Sequence, residues 1–228
     1  MPAALAVAAS TAFQLRVCTG KVCKKQGSPQ IAKFAQDLQL PQIEVQTCGC
    51  LSECGNGPNV AVIPLDGTRL LVLKHVGTPS RMADLLREVC GAPVDEVLLR
   101  ATELRLAGNA AAVRGRLAQA AELYSRGLAL EPPTGRHLLL SNRSGVRLEL
   151  GDAEGALEDA SAAAACCPPG FTTAAIRQVE GLLKLGQHRS ALECMLVACE
   201  RHPAFEQTDD YRRTLADIQR ELQRSGAA

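Results

Sequence analysis

The chain has 228 residues, of which 46% are hydrophobic, and its 25 Lys and Arg nearly cancel its 24 Asp and Glu. That balance predicts folded structure, one large or two ordinary domains, and excludes the dense basic surface that bulk nucleic-acid or membrane-surface binding needs. No apolar run approaches the ~20 residues that span a bilayer, so no membrane insertion is expected.

The opening Met1–Thr11 reads as an N-terminal extension, Ala-rich and free of acids as a transit-peptide remnant would be, although it has no Arg. A β-type run from Phe13 to Val17 follows, then a helix-like apolar spacing at Ile31, Phe34, Ala35 and Leu38 within Ser28–Leu40. Ile43–Gln46, Asn59–Pro64 and Arg69–Val76 are three further strand candidates, the last two joined by Asp66-Gly67, a strong hairpin signal. Thr78–Cys90 closes this half as a helix, with Thr78 as its cap, Pro79 at its first position, and Met82, Leu85, Leu86 and Val89 on one face. Gly91-Ala92-Pro93 breaks that helix, and Asp95 caps the next, so a domain boundary is expected at 92/93. Net charge changes sign across it, from +3 over residues 1–92 to −2 over 93–228.

Ten cysteines in a chain this long, without a secretory signal, point to a reducing compartment more than to a disulfide scaffold. Plastid stroma and cytoplasm both fit. Four of the thiols form two pairs near the ends of the first two strand candidates, Cys18 with Cys23 and Cys50 with Cys54. Gaps of four and three residues disfavour a thioredoxin-type redox pair, which is separated by two. The plant-type ferredoxin run does not fit, because the next cysteine after Cys23 is Cys48. Four thiolates without histidine suit an iron-sulfur cluster or a structural zinc. The pattern Cys-x4-Cys, then Cys-x3-Cys-Gly-x-x-Pro, carried by Cys18, Cys23, Cys50, Cys54, Gly55 and Pro58, resembles the thioredoxin-like [2Fe-2S] ferredoxins. The resemblance covers residues 12–92. It implies a small α/β sandwich holding one [2Fe-2S] cluster on Cys18, Cys23, Cys50 and Cys54, one-electron transfer, and a redox partner protein. Cys48 is then a bystander thiol. Arg16, Lys21, Lys24 and Lys25 around the first pair would stabilise a reduced cluster or steer an acidic partner, or they form a solvated basic loop. Cys90, Cys166, Cys167, Cys194 and Cys199 read as packing residues on helical stretches.

Beyond the boundary the sequence is helical and repetitive. Segments beginning near Ala101, His137 and Thr172 align Gly115 with Gly151 and Gly186, Ala120 with Ala156 and Ala191, and Pro132 with Pro168 and Pro203. This resembles the tetratricopeptide (TPR) repeat, whose period is ~34 residues. The first repeat matches best, at Gly108, Ala120, Tyr124 and Pro132, and Ala160 and Met195 stand where it has Tyr124. Asp209–Arg224, with Tyr211, Leu215, Ile218 and Leu222 on one face, then caps an all-α solenoid of three helix pairs spanning 93–228. In family members that clamp acidic peptide ends such as Glu-Glu-Val-Asp, the carboxylates meet Lys, Asn, Asn, Lys and Arg. The resemblance puts Arg105, Asn109, Asn142, Thr173 and Arg177 at those positions, with Thr173 replacing a cation.

These readings combine into an electron carrier docked to protein partners through a TPR groove, with no stand-alone catalysis. One alternative is a TPR adaptor, similar to a co-chaperone, whose metal site is structural. Another is a redox component of a larger oxidoreductase complex. No Gly-rich nucleotide loop, metal-hydrolase helix or nucleophile elbow is present.

Overall fold

A computed structural model describes residues 12–226. The extension expected over 1–11 lies outside the described residues. The chain divides into two compact units between Thr102 and Glu103, about ten residues beyond the break at Gly91–Pro93.

The first unit holds β1 (Phe13–Cys18), α1 (Lys21–Lys25), α2 (Ser28–Asp37), β2 (Ile43–Cys48), β3 (Val60–Pro64), β4 (Leu71–Leu73) and α3 (Pro79–Glu88). The strands form one mixed sheet in the order β2-β1-β3-β4, parallel between β1 and β2 and antiparallel at the other two pairings. A parallel pair needs a crossover, and α2 supplies it by packing on β1, β2 and α3. The unit's core comprises Leu15 and Val17 of β1, Phe34 of α2, Leu38 just after it, and Met82 and Leu86 of α3.

The turns follow local chemistry. Gly67 takes φ +81°, and Asp66 Oδ1 accepts from Thr68 N at 2.9 Å, which closes the β3–β4 hairpin. Thr78 Oγ1 accepts from Arg81 N at 3.2 Å and caps α3, and Asp95 Oδ1 accepts from Leu98 N at 2.7 Å at the start of the next helix. Lys21–Lys25, expected as a loop, is instead a one-turn helix entered at Gly20, with Lys24 N bonded to Gly20 O at 2.9 Å. Five residues are too few for apolar periodicity to reveal a helix. β4 is shorter than the apolar run that predicts it and leaves Leu70, Leu71 and Val72 exposed at the sheet edge.

Three helix pairs follow: α4 (Glu96–Val113) with α5 (Leu117–Ala129), α6 (Arg136–Glu149) with α7 (Ala153–Cys166), and α8 (Thr173–Lys184) with α9 (His188–Arg201). The division at Thr102/Glu103 falls inside α4. Gly115, Gly151 and Gly186 all take positive φ at the turn inside their pair, which explains why the sequence repeats glycine there. Ala120, Ala156 and Ala191 are fully buried where paired helices cross. The first pair is tightest at Gly108, where a Cβ would lie within 2.4 Å of Tyr124 Cε1.

The second pair is tied by ions. Asp159 of α7, only 4% exposed, accepts from Arg143 Nε at 2.8 Å and Nη2 at 2.6 Å, and Arg147 Nη1 reaches it at 3.1 Å. Arg143 Nη1 also donates to Ser125 Oγ of α5 at 2.9 Å. A short 3₁₀ turn (Pro203–Gln207) leads into α10 (Asp209–Arg224), whose Ile218 joins Val179, Met195, Cys199 and Phe205 in the terminal core.

Candidate functional site

Two places gather chemistry. In the first unit Cys18 ends β1, beside Cys48 at the end of β2. Cys23 sits on α1, and Cys50 and Cys54 lie in the loop after β2. Cys50 Sγ lies 3.4 Å from Cys54 Sγ, and the Cys18 thiol is close enough to those of Cys23 and Cys50 for each to influence its ionisation. All four thiols named from the sequence are therefore electrostatic neighbours. Two glycines make room for them. A Cβ on Gly57 would lie 2.4 Å from Cys23 Sγ, and one on Gly20 would lie 3.1 Å from Cys50 Cβ.

The environment divides the thiols. Burial pushes Cys18 up, but bonds from the Leu51 and Gly20 backbone and from Cys23 and Cys50 outweigh it and hold Cys18 below the usual thiol value. Cys23 is raised, first by burial and then by its thiol neighbours, and Cys54 is raised chiefly by its bond to Cys50. Burial also raises Cys48, whose backbone carbonyl accepts from Thr19 N and, at 2.6 Å, from Thr19 Oγ1.

Two thiolates on one tetrahedral metal with bonds of ~2.3 Å stand ~3.8 Å apart. The 3.4 Å separation of Cys50 and Cys54 is close to that. Among the described residues no group of three or more His, Cys, Asp or Glu is arranged around a single metal ion. Four soft thiol donors with two glycines beside them suit a thiolate-bound metal group.

The second place is a cleft of about 360 Å³ in the helical unit, lined by Asn109, Tyr124, Asn142, Gly145, Glu149 and Arg177 among others. It draws on α4, α5, α6 and α8, so three successive helix pairs contribute. Asn109 Oδ1 accepts from Tyr124 OH at 2.8 Å and from Asn142 Nδ2 at 2.8 Å. With both lone pairs engaged, Asn109 has only its NH₂ donors left to offer. Burial pushes the Tyr124 phenol up to about 12, which keeps it a donor. The Arg177 guanidinium lies over Gly145, where a Cβ would come within 2.9 Å of its Cζ, and its Nη1 meets Glu180 Oε2 at 2.6 Å.

Of the five positions carried over for a peptide clamp, Asn109, Asn142 and Arg177 meet in one cleft, and Thr173 does not line it. Nor does Arg105. Although one turn from Asn109, Arg105 is 4% exposed and acts electrostatically on Tyr124 and His137. Spacing of four fixes a shared helix face but not the depth of each side chain. Glu149 and Glu180, which the sequence reading missed, bring acids to the cleft and to its one lining cation. Of the remaining five cysteines, expected as packing residues, Cys194 packs against the terminal core that includes Cys199, and the expectation fails at Cys166. Cys90 and Cys199 are buried, Cys166 is exposed, and Cys167 and Cys194 line a separate cavity.

The paired antiparallel helices, their repeated glycine turns and their capped end define the second unit as a TPR-like helical solenoid. Among solved structures the chain is similar to the Hsp90 co-chaperone Cns1 from Saccharomyces cerevisiae, with 26% identity over 59% of this chain and 43% of that one and a TM-score of 0.52. It is also similar to the Sgt2 TPR domain from Aspergillus fumigatus, at 25% identity over 56% of this chain and 82% of that one, with a TM-score of 0.49. The first TPR domain of human RPAP3 gives 21% identity, coverage of 57% and 97%, and a TM-score of 0.49. No model of a known protein family matches the chain, and no curated protein matches it. Among the described residues no helix is long and apolar enough to cross a membrane.

Proposed function

We propose that the chain is a protein-binding adaptor whose helical array holds an acceptor-rich segment of a partner, such as an acidic peptide end, in the cleft between Asn109, Asn142 and Arg177. One observation carries this reading. Asn109 lines the cleft beside Asn142 and Arg177, and with its oxygen doubly engaged it has only its NH₂ donors left to offer a ligand. Donors alone are offered there by Asn109 and Arg177, and carboxylates and backbone carbonyls only accept. The likeness to a yeast Hsp90 co-chaperone supports the same class of role. Because Glu180 competes for Arg177 and Thr173 stands where the clamp has a cation, binding should be weak. Isothermal titration of a peptide ending in Glu-Glu-Val-Asp, of its C-terminal amide, and of Arg177→Ala tests it. Arg177→Ala should lose about 1–2 kcal/mol, a factor of roughly 5–30, at the lower end for a charged hydrogen bond. Equal binding of acid and amide would sink the carboxylate reading.

A second reading concerns the cysteines and is supported by the neighbouring thiols and the glycines beside them. Cys18, Cys23, Cys50 and Cys54 would hold one [2Fe-2S] cluster, which when bound supplies one-electron transfer to a redox partner. The strand order, with a parallel β1–β2 pair and an antiparallel β3–β4 hairpin, supports a thioredoxin-like sandwich around it. Lys21, Lys24 and Lys25, all exposed beside this group, would attract an acidic partner. Each of the four Cys→Ser changes should then shift or abolish the visible absorbance of anaerobically purified protein, and Cys48→Ser should leave it intact. Bleaching by Cys48→Ser alone would overturn the ligand set.

A further inference from the structure

The second and third repeats differ at one internal junction. In the register that superposes Gly151 and Gly186 on Gly115, Ser125, Arg143 and Asp159 correspond to Ser161, Gln178 and Cys194. In the earlier set the Arg143 guanidinium spans from Ser125 to both oxygens of Asp159. The later set keeps the bonding pattern with smaller groups: Gln178 Nε2 donates to Ser161 Oγ at 3.2 Å, and the Cys194 thiol donates to Gln178 Oε1 at 3.6 Å. A glutamine reaches less far than an arginine, and a thiol less far than a carboxylate. The walls beside them are small residues, Ala164, Ala165, Ala174 and Ala175, and a cavity of about 510 Å³ remains between α7, α8 and α9.

That volume lies within the ~300–1,000 Å³ typical of small-molecule sites. The lining chemistry is one-sided. Alanines, Val197 and Phe171 give apolar walls, Arg201 and His202 line one part of it, and no lining residue carries a carboxylate. Arg201 lines the cavity while remaining exposed, and its charge opposes the larger upward push that burial exerts on the Cys194 thiol. We propose that this cavity binds a small amphipathic monocarboxylate, its chain between the alanines and Val197 and its carboxylate against Arg201. Apolar burial supplies affinity, and the guanidinium, a planar donor with no acceptor to offer, selects the anion over a neutral analogue. The site is separate from the Asn109–Asn142–Arg177 cleft and does not depend on what that cleft binds.

The test uses the full chain, with octanoate and 1-octanol as probes. Ligand-observed NMR titration gives the affinities, and N-ethylmaleimide labelling read by peptide mass spectrometry gives the location. Octanoate should bind saturably, and about tenfold or more tighter than octanol. It should slow labelling of Cys194 and leave the exposed Cys166 unaffected. Arg201→Gln should bring octanoate down to the affinity of octanol without altering octanol, and Ala164→Leu should remove binding of both. Arg201 is exposed, so its replacement decides the matter even if Ala164→Leu unfolds the array. Absence of saturable octanoate binding, equal affinity for octanoate and octanol, or equal protection of Cys166 and Cys194 would each overturn the proposal.

Discussion

Replacing Asp159 by Ala should be the most damaging single charge change in the helical unit. Its carboxylate receives three N–H groups, two from Arg143 and one from Arg147, and it is 4% exposed. Removing one partner of a buried pair costs about 3–5 kcal/mol, because the other charge is left uncompensated. The arginine side chains are 17% and 27% exposed and can recruit water, so the lower end applies, about 3 kcal/mol. Urea unfolding of the full chain followed by circular dichroism at the helical band reads the loss as a shift in midpoint. The control is the double change Arg143→Met with Asp159→Leu, which removes both charges. Replacing a buried pair by apolar groups is often neutral, so the double variant should recover most of the loss. A loss below about 0.5 kcal/mol for Asp159→Ala, the level of an exposed pair, would refute the reasoning. So would a double variant as unstable as the single one.

Gly108→Ala should destabilise the first helix pair by about 1–2 kcal/mol. Alanine's helix preference returns up to ~1 kcal/mol, and overpacking a Cβ against the Tyr124 ring costs ~1–3. An unchanged or raised melting temperature would count against that packing. Burial, and after it the nearby Arg105 charge, lowers the His137 imidazole below its usual value. The unfolded chain therefore takes up a proton near pH 6.5 that the folded chain refuses, and stability present above that pH should fall as pH drops below it. His137→Phe should flatten this stretch of the stability profile, and an identical acid slope in the variant would reject the assignment. Gly57→Ala should break up the thiol group, because its Cβ would lie within 2.4 Å of Cys23 Sγ. Faster reaction of Cys23 with a thiol reagent is the readout, and unchanged reactivity would show that the cradle is not needed.

Residues whose role is set by their own backbone were legible in the sequence. Gly115, Gly151 and Gly186 need positive φ, Thr78 and Asp95 cap the helices that follow them, and Asp66-Gly67 turns the hairpin. Ala120, Ala156 and Ala191 were legible for a related reason, since a helix crossing repeats its small residue. Depth was not legible. Arg105 and Asn109 share a face, but only Asn109 opens onto the cleft, because burial depends on α5 and α6, distant in the chain. Long-range pairing hid the Arg143–Asp159 tie as well. Its partners stand sixteen residues apart on different helices, and each alone reads as an ordinary surface charge.

The doubly engaged oxygen of Asn109 makes cleft chemistry and array geometry a single equilibrium. Its two donors come from α5 and α6, so the amide is presented outward only while those helices hold their places against α4. Any ligand that needs that presentation adds its binding free energy to the cohesion of the first two repeats. By reciprocity, a substitution that loosens α6 from α4 weakens capture without touching the ligand. Occupancy of the cleft should therefore be visible as slowed amide hydrogen exchange in α4 and α6, far along the helices from the atoms in contact.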